Sequence, residues 1–207
     1  MQQTDTQQAE QRLAGKVIGL GVTASHHNRE RLYRAAEQLS AEAAGVIPVL
    51  SFSAVQTATK FGDGQDLIDR LTAITGHAPL LDFAAVEPLG PAHTLDCMVI
   101  LPCTGSTLAK LANAITDSPV LMAAKSTLRN GRPIVVSVST NDGLGLNAPN
   151  LGRLLTARHV YFVPFGQDNP VAKPTSLDAD MNQAVATVAA AILGRQLQPL
   201  LLPPRQS

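Results

Sequence analysis

The sequence predicts a three-layer α/β domain with helices on both faces of a mainly parallel sheet of six strands. Short apolar segments alternate with segments of helical spacing along most of the chain. The apolar segments are continuous runs rather than alternations with polar residues, which is typical of strands covered on both faces. The length of 207 residues suits one domain, and the hydrophobic fraction of 45% is enough for a packed core.

The predicted strands are apolar runs that end at small, polar or turn-forming residues. They lie at 16–22, 46–52, 79–84, 96–102, 133–139 and 159–165, and the third is the weakest. If the strand order is 3-2-1-4-5-6, the first and fourth strands are neighbours at the point where the order reverses. Ligands of such sheets bind there, beyond the carboxyl ends of the strands.

The predicted helices combine helical spacing of apolar residues with capping signals. Asp63 is the predicted N-cap of a helix that ends at Gly76. Ser118 is the predicted N-cap of a helix that runs to about Arg129. The other helices are predicted over 28–44, over 149–157 and from Ser176 to about Ile192.

The ends of the chain differ in character from the predicted domain, which spans residues 13–202. Residues 1–12 are polar, lack the apolar segment of a signal peptide and are interpreted as a disordered tail. The apolar segment 197–204 is either a short edge strand or an arm that docks on another subunit. No apolar run approaches the roughly 20 residues of a membrane helix.

Charge and cysteine content restrict the class of protein further. Lys plus Arg and Asp plus Glu both number 16, which argues against a nucleic-acid partner, since phosphate backbones require a basic surface. The two cysteines, Cys97 and Cys103, are too few for a metal cluster or a disulfide framework. These features predict a cytoplasmic protein without metal and without a membrane anchor.

Hydroxyl residues follow three of the predicted strands and suggest an anion site. Thr23 and Ser25 follow the first strand, Ser51 and Ser53 end the second, and the segment 104–107 follows the fourth. Each hydroxyl alone is most simply a helix cap. Their coincidence at one sheet edge favours a phosphate pocket, although the chain has neither a lysine-bearing phosphate loop nor a complete glycine-rich dinucleotide motif.

Two of these segments resemble the FMN-binding motifs of a known family. The segments GVTASHH and PCTGSTLAKLANAITDSP resemble those of the flavoprotein family that includes phosphopantothenoylcysteine decarboxylase and the lantibiotic cysteine decarboxylases. Longer segments, among them DSPVLMAAKSTLRNGRPIVVSVSTNDGLGLN, resemble the branch of that family formed by dipicolinate synthase B subunits. The resemblance covers roughly residues 13–202 and implies a Rossmann-like (flavodoxin-like) αβα fold.

The resemblance implies FMN as cofactor and assigns residues to it. The positions that match the family's phosphate-facing loops are Thr23, Ser25, Ser51, Ser53, Thr104, Gly105, Ser106 and Thr107. Lys110 and Asp117 also match family positions and are interpreted as structural. Thr140 and Asn141, after the fifth predicted strand, and Arg153, on the following helix, are the candidate holders of substrate carboxylates.

The chain departs from the decarboxylase pattern at three places. The position of the decarboxylases' catalytic histidine falls near Glu87, and His93 comes several residues too late. Ser106 replaces the asparagine of their second loop, and the segment 139–144 replaces their substrate clamp. The resemblance therefore leaves the catalytic residues of this chain unassigned.

The implied function is that of a B subunit of dipicolinate synthase, which oxidises dihydrodipicolinate to pyridine-2,6-dicarboxylate in sporulation. The A subunit of dipicolinate synthase is the expected partner and would bring NAD or NADP. A homo-oligomer built from trimers is also expected, as in the decarboxylase relatives. Two alternatives stay open, a flavin-dependent decarboxylase and a non-catalytic protein that stabilises the A subunit without binding flavin.

Overall fold

Seven strands and eight α-helices make up the described part of the chain in a computed structural model, which describes residues 13–24, 28–56 and 63–203. The strands are β1 Val17–Val22, β2 Gly45–Leu50, β3 Cys97–Cys103, β4 Ile134–Thr140, β5 Val160–Phe162, β6 Phe165–Asn169 and β7 Lys173–Ala179. The helices are α1 Arg29–Glu42, α2 Phe52–Gln56, α3 Gly64–Thr75, α4 Phe83–Val86, α5 Gly105–Ala112, α6 Pro119–Arg129, α7 Ala148–Leu155 and α8 Ala184–Ile192. The predicted tail at residues 1–12 lies outside the described residues.

The sheet follows the order β2-β1-β3-β4-β7-β6, and β5 pairs with β4 beside this path. Strands β1 to β5 pair in parallel, whereas β7 is antiparallel to β4 and to β6. Helices α1, α3 and α8 pack on one face, and α5, α6 and α7 on the other. The predicted three-layer, mainly parallel fold is confirmed, as is the pairing of the first predicted strand with the fourth.

The central strands form the core of the molecule. All seven residues of β3 and six of the seven in β4 are buried. Gly21 in β1 leaves room for its neighbours, since a Cβ there would lie 2.7 Å from Met98 Cε and 3.0 Å from Val120 Cγ1. The glycines of β1 therefore serve packing. This agrees with the absence of a complete glycine-rich dinucleotide motif from the sequence.

Two predicted strands are wrong in extent. The weak segment 79–84 contributes only an isolated bridge between Leu80 and Val49, because Asp82 caps the short helix α4 directly after it. The segment 159–165 is divided into β5 and the start of β6. With β7, which was not predicted as a strand, the sheet has seven strands instead of the predicted six.

The predicted start of the last helix at Ser176 is also wrong. Ser176 lies inside β7, and α8 begins only after a 3₁₀ turn at Met181–Gln183. The side chain of Asp180 accepts a hydrogen bond from the backbone N–H of Asn182 and marks the true start of the helical segment. Strand pairing of β7 with β4 and β6 overrides the helical spacing of its apolar residues.

Strand β4 has a divided outer edge. Its first half, from Ile134 to Val136, pairs with β5, and its last two residues, Ser139 and Thr140, pair with β7. The β6–β7 hairpin thus starts where the parallel sheet ends and forms a wall beyond the carboxyl ends of the strands. This arrangement closes one side of the edge at which ligands of such sheets bind.

The C-terminal segment returns to the same sheet. Phe165 donates its backbone N–H to Leu200 O at 3.0 Å and accepts one from Leu202 N at 2.8 Å. Of the two predicted alternatives, the structure therefore has pairing with the chain's own sheet, as an isolated parallel bridge. Nearby, the side-chain amide of Gln196 binds both backbone groups of Phe162, at 2.8 Å to its N–H and 2.7 Å to its C=O.

Candidate functional site

A cleft of about 750 Å³ opens at the carboxyl ends of β1, β3 and β4. The described residues that line it come from the loops after these strands, from α1 and from the hairpin. They are Ala24, Asn28, Arg31, Thr104, Gly105, Ser139, Thr140, Asn141, Asp168, Lys173, Ser176, Leu177 and Asp178. Its volume lies within the range of about 300–1,000 Å³ that is typical of small-molecule sites.

Thr23 joins the two loops on which the predicted phosphate site depends. Its hydroxyl donates to Pro102 O at 2.8 Å and accepts the backbone N–H of Thr104 at 3.1 Å. The loop after β1 and the loop after β3 therefore touch, which confirms that they share one crevice. Because the Thr23 proton is used within the protein, this residue fixes the two loops rather than offering its proton to a ligand.

Thr104 begins helix α5 at the edge of the cleft. Its hydroxyl accepts the backbone N–H of Thr107 at 3.4 Å and lies 3.1 Å from the Thr107 hydroxyl. The amino end of α5, where the helix dipole is positive, thus lies at the cleft, since Thr104 and Gly105 line it. This end of α5 is suited to an anionic group, and Gly105 is its first residue.

Arg31 ties helix α1 to the far wall of the cleft. Its guanidinium donates to Asn28 Oδ1 at 2.9 Å, to Asp178 Oδ2 at 2.7 Å and to the backbone carbonyl of Ala179. Asn28 in turn donates to Ser139 Oγ at 3.0 Å. The Arg31 side chain is 30% exposed and that of Asp178 only 9%. The floor of the cleft therefore carries charged groups that are hydrogen-bonded to neighbouring side chains and backbone.

Lys173 supplies a second cation on the hairpin wall. Its ammonium group lies 2.9 Å from Asp168 Oδ2, and its side chain is 58% exposed. An exposed ion pair of this kind contributes about 0–1 kcal/mol. Lys173 can therefore exchange the Asp168 carboxylate for a ligand carboxylate at little cost.

A compact polar group lies between β4 and the start of α5. The Thr140 hydroxyl donates to Asp142 Oδ1 at 2.5 Å, and the Asn147 amide lies 2.9 Å from each oxygen of the Asp142 carboxylate. Gly105 packs directly against this group, since a Cβ there would lie 2.3 Å from Thr140 Oγ1. The polar group thereby sets the distance between β4 and the helix start.

Further amide side chains continue this group to the surface. Asn150 Nδ2 donates to Asn147 Oδ1 at 3.0 Å, and Asn113 Nδ2 donates to Asn150 Oδ1 at 3.0 Å. The guanidinium of Arg153 donates to Asn113 Oδ1 at 2.6 Å and ends the series. We call Thr140, Asp142, Asn147, Asn150, Asn113 and Arg153 the amide chain. Arg153 belongs to this chain and lies outside the cleft lining, so the structure does not place it as a carboxylate holder.

These hydrogen bonds keep Asp142 ionised. Donation from Thr140, followed by donation from Asn147, lowers the pKa of the Asp142 carboxyl from its ordinary value of 3.8, although burial opposes this change. A carboxyl with a lowered folded-state pKa stabilises the fold above its unfolded-state pKa. That contribution is lost as the pH falls through the folded-state value.

The stability of the Asp142→Asn variant is therefore expected to depend less on pH in the acid range than the stability of the wild type. Its free energy of unfolding should fall less between about pH 6 and pH 2.5, because the asparagine has no proton to gain. Urea unfolding at a series of pH values measures this. An unchanged slope in Asp142→Asn would contradict the expectation.

The other predicted site residues lie in several environments. Ser25 falls outside the described residues. Ser51 is buried and accepts the backbone N–H of Ala54 at 3.3 Å, and exposed Ser53 lies 3.3 Å from it, so both belong to the start of α2 beside the cleft. Ser106 is exposed on α5 and Thr107 is buried. Their roles in cofactor binding remain predictions.

The charged residues of the cleft were not predicted from the sequence. Arg31, Lys173 and Asp178 were not singled out, because Arg31 and Asp178 are 147 residues apart and the second half of β7, from Ser176, was predicted as helix. The sequence held one local signal for the contact between Arg31 and Asn28. The two residues are three positions apart at the start of a helix, which brings their side chains together. Lys110 and Asp117, interpreted as structural, form a surface ion pair at 2.7 Å.

The cysteines are enclosed in the core. Burial raises the pKa of the Cys103 thiol to about 12, and burial also raises the pKa of Cys97. Raised pKa values of this kind favour the neutral thiol at neutral pH, which argues against a nucleophilic role for Cys103. Within the described ranges, no cluster of three or more His, Cys, Asp or Glu side chains could hold a metal ion. No helix in the same ranges is long and apolar enough to cross a membrane.

Comparison with known proteins gives concordant matches over most of the chain. The model of the flavoprotein family matches residues 6–192. The B subunit of dipicolinate synthase from Bacillus subtilis (strain 168) is 48% identical over 190 residues, which cover 92% of this chain and 95% of that protein. The crystal structure of the corresponding B subunit from Bacillus halodurans superposes with a TM-score of 0.86 and 46% identity, over 93% of this chain and 99% of that one.

More distant structures share the fold alone. The DmrB protein of Burkholderia xenovorans, in complex with FMN and described as a cubic protein cage for redox transfer, has a TM-score of 0.57 and 20% identity. The alignment covers 72% of this chain and 87% of that one. Together with the family match and the 48% identical relative, these findings make the chain a member of the flavoprotein family.

Proposed function

We propose that this chain is the flavin-binding B subunit of a two-subunit enzyme that oxidises dihydrodipicolinate to dipicolinate during sporulation, in the cytoplasm of spore-forming cells. The observation that carries the proposal is the 48% identity to the B subunit of a dipicolinate synthase over 92% of the chain. At that level of identity over nearly the whole length, the two proteins are expected to share a site as well as a fold.

The residues of the cleft fit FMN. The cleft is large enough for a nucleotide-sized ligand, and the amino end of α5 at Thr104 and Gly105 suits a phosphate. Ser25, Ser106 and Thr107 are the further predicted contacts, with Ser51 and Ser53 beside them. A flavin in this position would supply a hydride acceptor.

The charges on the cleft walls fit a dicarboxylate. Lys173 on the hairpin can exchange its exposed partner Asp168 for a substrate carboxylate. Asn141 lines the cleft next to it and offers an amide N–H₂ group. Arg31, held by Asn28 and Asp178, contributes a fixed positive charge to the floor. These groups bind and orient the ring, and orientation accounts for much of the rate gain when the chemistry itself is favourable.

The reaction removes one hydride and one proton from the ring. Aromatisation favours this loss, and the A subunit is proposed to bring NAD or NADP as the final hydride acceptor. The proton passes to water. This chain would then hold the dianionic ring in a cleft that is polar on its floor and walls.

The chain is also proposed to form homo-oligomers, built from trimers, that contact the A subunit. The C-terminal segment does not support this proposal, because residues 200–202 pair with Phe165 of the same chain. Two other apolar side chains now support it, Leu146 with 91% and Val171 with 94% of its surface exposed. Light scattering at micromolar concentration tests the proposal, and a monomeric mass contradicts it.

Absorption spectroscopy tests the flavin. The purified chain, mixed with FMN and separated from free ligand, is expected to keep the visible flavin absorption. Thr107→Ala should weaken FMN binding by about 1 kcal/mol, or roughly fivefold, because it removes a hydroxyl beside the Thr104 cap. Thr72→Ala, on the distant helix α3, is the control and should leave the affinity unchanged. A spectrum without flavin at saturating FMN contradicts the proposed cofactor.

Reconstitution with the A subunit tests the catalytic contribution. Oxidation of dihydrodipicolinate is expected to be faster with both chains than with the A subunit alone. Equal rates would reject the catalytic role. If the two chains nevertheless co-purify, equal rates would favour the alternative in which this chain only stabilises its partner.

A further inference from the structure

The amide chain has a defined direction of donation, which begins at Arg153. A guanidinium can only donate, so the atom of Asn113 that it contacts at 2.6 Å is the oxygen. The Asn113 nitrogen must then face Asn150, and the Asn150 nitrogen must face Asn147, at 3.0 Å each. The amide orientations follow from this sequence of contacts without a choice between flipped forms.

The same reasoning fixes the proton at the other end of the amide chain. Asn147 presents its nitrogen to both oxygens of Asp142, at 2.9 Å each, so both oxygens accept. Two N–H donors at this distance stabilise the ionised form of the carboxyl. Because an ionised carboxyl has no proton to give, the hydroxyl of Thr140 must be the donor in the contact of 2.5 Å.

Thr140 therefore presents only lone pairs to the cleft. Its single proton points at Asp142, and its half-buried side chain lines the cleft next to Gly105. Within the part of the chain that the structure describes, Asp142 is the only hydrogen-bond partner of Thr140 Oγ1. A hydroxyl fixed in this way accepts from N–H or O–H groups and repels carboxylate oxygens.

We propose that Thr140 Oγ1 is a hydrogen-bond acceptor for a ring N–H in the cleft and that Asp142 is the positioning residue that orients it. This inference rests on the proposed function, because it names the chemical feature by which the site recognises its ring. The ring N–H can come from a reduced pyridine dicarboxylate or from the flavin, and the experiment distinguishes these sources. The predicted role of Thr140 as a carboxylate holder is replaced by this one.

The proposal implies a preference between reduced and aromatic rings. A reduced ring that carries N–H donates to Thr140 while its carboxylates meet Lys173 and Asn141. The ring nitrogen of aromatic dipicolinate carries a lone pair at neutral pH and meets the lone pairs of Thr140 instead. Of two rings with the same carboxylates, the site would therefore bind the one that carries N–H more tightly.

Calorimetric titration of the full chain with two probes tests the preference. The probes are piperidine-2,6-dicarboxylate, whose ring nitrogen carries N–H as a secondary ammonium at neutral pH, and pyridine-2,6-dicarboxylate, whose ring nitrogen carries none; the charge difference is the same for every variant, so the change in preference on substitution isolates the contact with Thr140. Wild type should favour the piperidine. Thr140→Val, of nearly the same shape, should lose about fivefold or more of the piperidine affinity and keep the pyridine affinity, whereas Thr140→Ser should retain the preference. Circular dichroism establishes that each variant is folded.

Asp142→Asn provides an independent variant. Its amide can donate to Thr140 Oγ1, which frees the Thr140 proton to point into the cleft. The preference should then shift toward the pyridine. An unchanged ratio of the two affinities in folded Thr140→Val and in Asp142→Asn would overturn the assignment to the substrate ring and leave the proposed function standing.

A parallel titration with FMN separates the two sources of the N–H. Loss of FMN affinity in Thr140→Val, with unchanged piperidine affinity, assigns the donor to the flavin and supports the acceptor role. If wild type binds FMN but neither dicarboxylate at millimolar concentration, the proposed substrate is rejected and the FMN titration alone decides on Thr140. Unchanged affinity for every ligand that binds overturns the inference.

Discussion

Replacing Arg31 by Met is expected to lower the free energy of unfolding by about 3 kcal/mol. The change removes donation to Asn28, to Asp178 and to the carbonyl of Ala179 and leaves a carboxylate that is only 9% exposed without its guanidinium. Breaking a buried ion pair by removing one partner costs about 3–5 kcal/mol, and the 30% exposure of Arg31 places this pair at the lower end. Urea unfolding at neutral pH measures the loss.

The matched control is Arg34→Met, one turn along the same helix at an exposed position. It should change the free energy of unfolding by less than about 0.5 kcal/mol, as is usual at the surface. Equal, small losses in both variants would mean that Arg31 does not hold α1 against the hairpin. In a folded preparation, Arg31→Met should also bind piperidine-2,6-dicarboxylate more weakly than wild type, because the fixed charge of the cleft floor is gone.

Replacing Gly105 by Ala is expected to cost about 2 kcal/mol of stability and to weaken FMN binding by about tenfold or more. The added Cβ would lie 2.3 Å from Thr140 Oγ1 and 2.9 Å from both Asn147 Nδ2 and Asp142 Oδ1. These atoms are held by hydrogen bonds to one another, so they cannot move aside without breaking a bond. The start of α5 must shift instead, and its N–H groups shift with it.

Ser106→Ala, at the next and exposed position of α5, is the control for stability. It should leave the free energy of unfolding nearly unchanged. Combining Gly105→Ala with Thr140→Ala removes the nearest contact atom, and the double variant should be more stable than the sum of the single changes predicts. Strict additivity in this cycle would contradict the proposed clash.

The parts of the fold that were predicted correctly have local signals. Strands β1, β3 and β4 are continuous apolar runs, and α3 and α6 have capping residues at Asp63 and Ser118 that the structure confirms. The hairpin was missed for a physical reason. Its strands carry polar residues such as Gln167 and Asp168, and β7 gains its conformation from pairing with β4, which lies more than 30 residues earlier.

The candidate site was predictable to a similar degree. The crevice between the loops after β1 and β3 follows from topology, and Thr104, Gly105, Thr140 and Asn141, all candidates from the sequence, line the cleft. Which hydroxyl offers a proton to the cleft could not be predicted, because this depends on partners such as Asp142 that only the folded structure defines. The position of Arg153 was likewise decided by Asn113, which is 40 residues away in the sequence.

The side-chain amide of Gln196 has a consequence for how copies of the protein can meet. It forms hydrogen bonds with both the N–H and the C=O of Phe162, which lies in the three-residue edge strand β5. These are the backbone groups that a strand from another copy would otherwise bind. An edge strand covered in this way is a poor template for strand addition, which hinders aggregation through β5. Any oligomer that uses this side of the molecule must therefore assemble through side chains rather than by extending the sheet from one copy to the next.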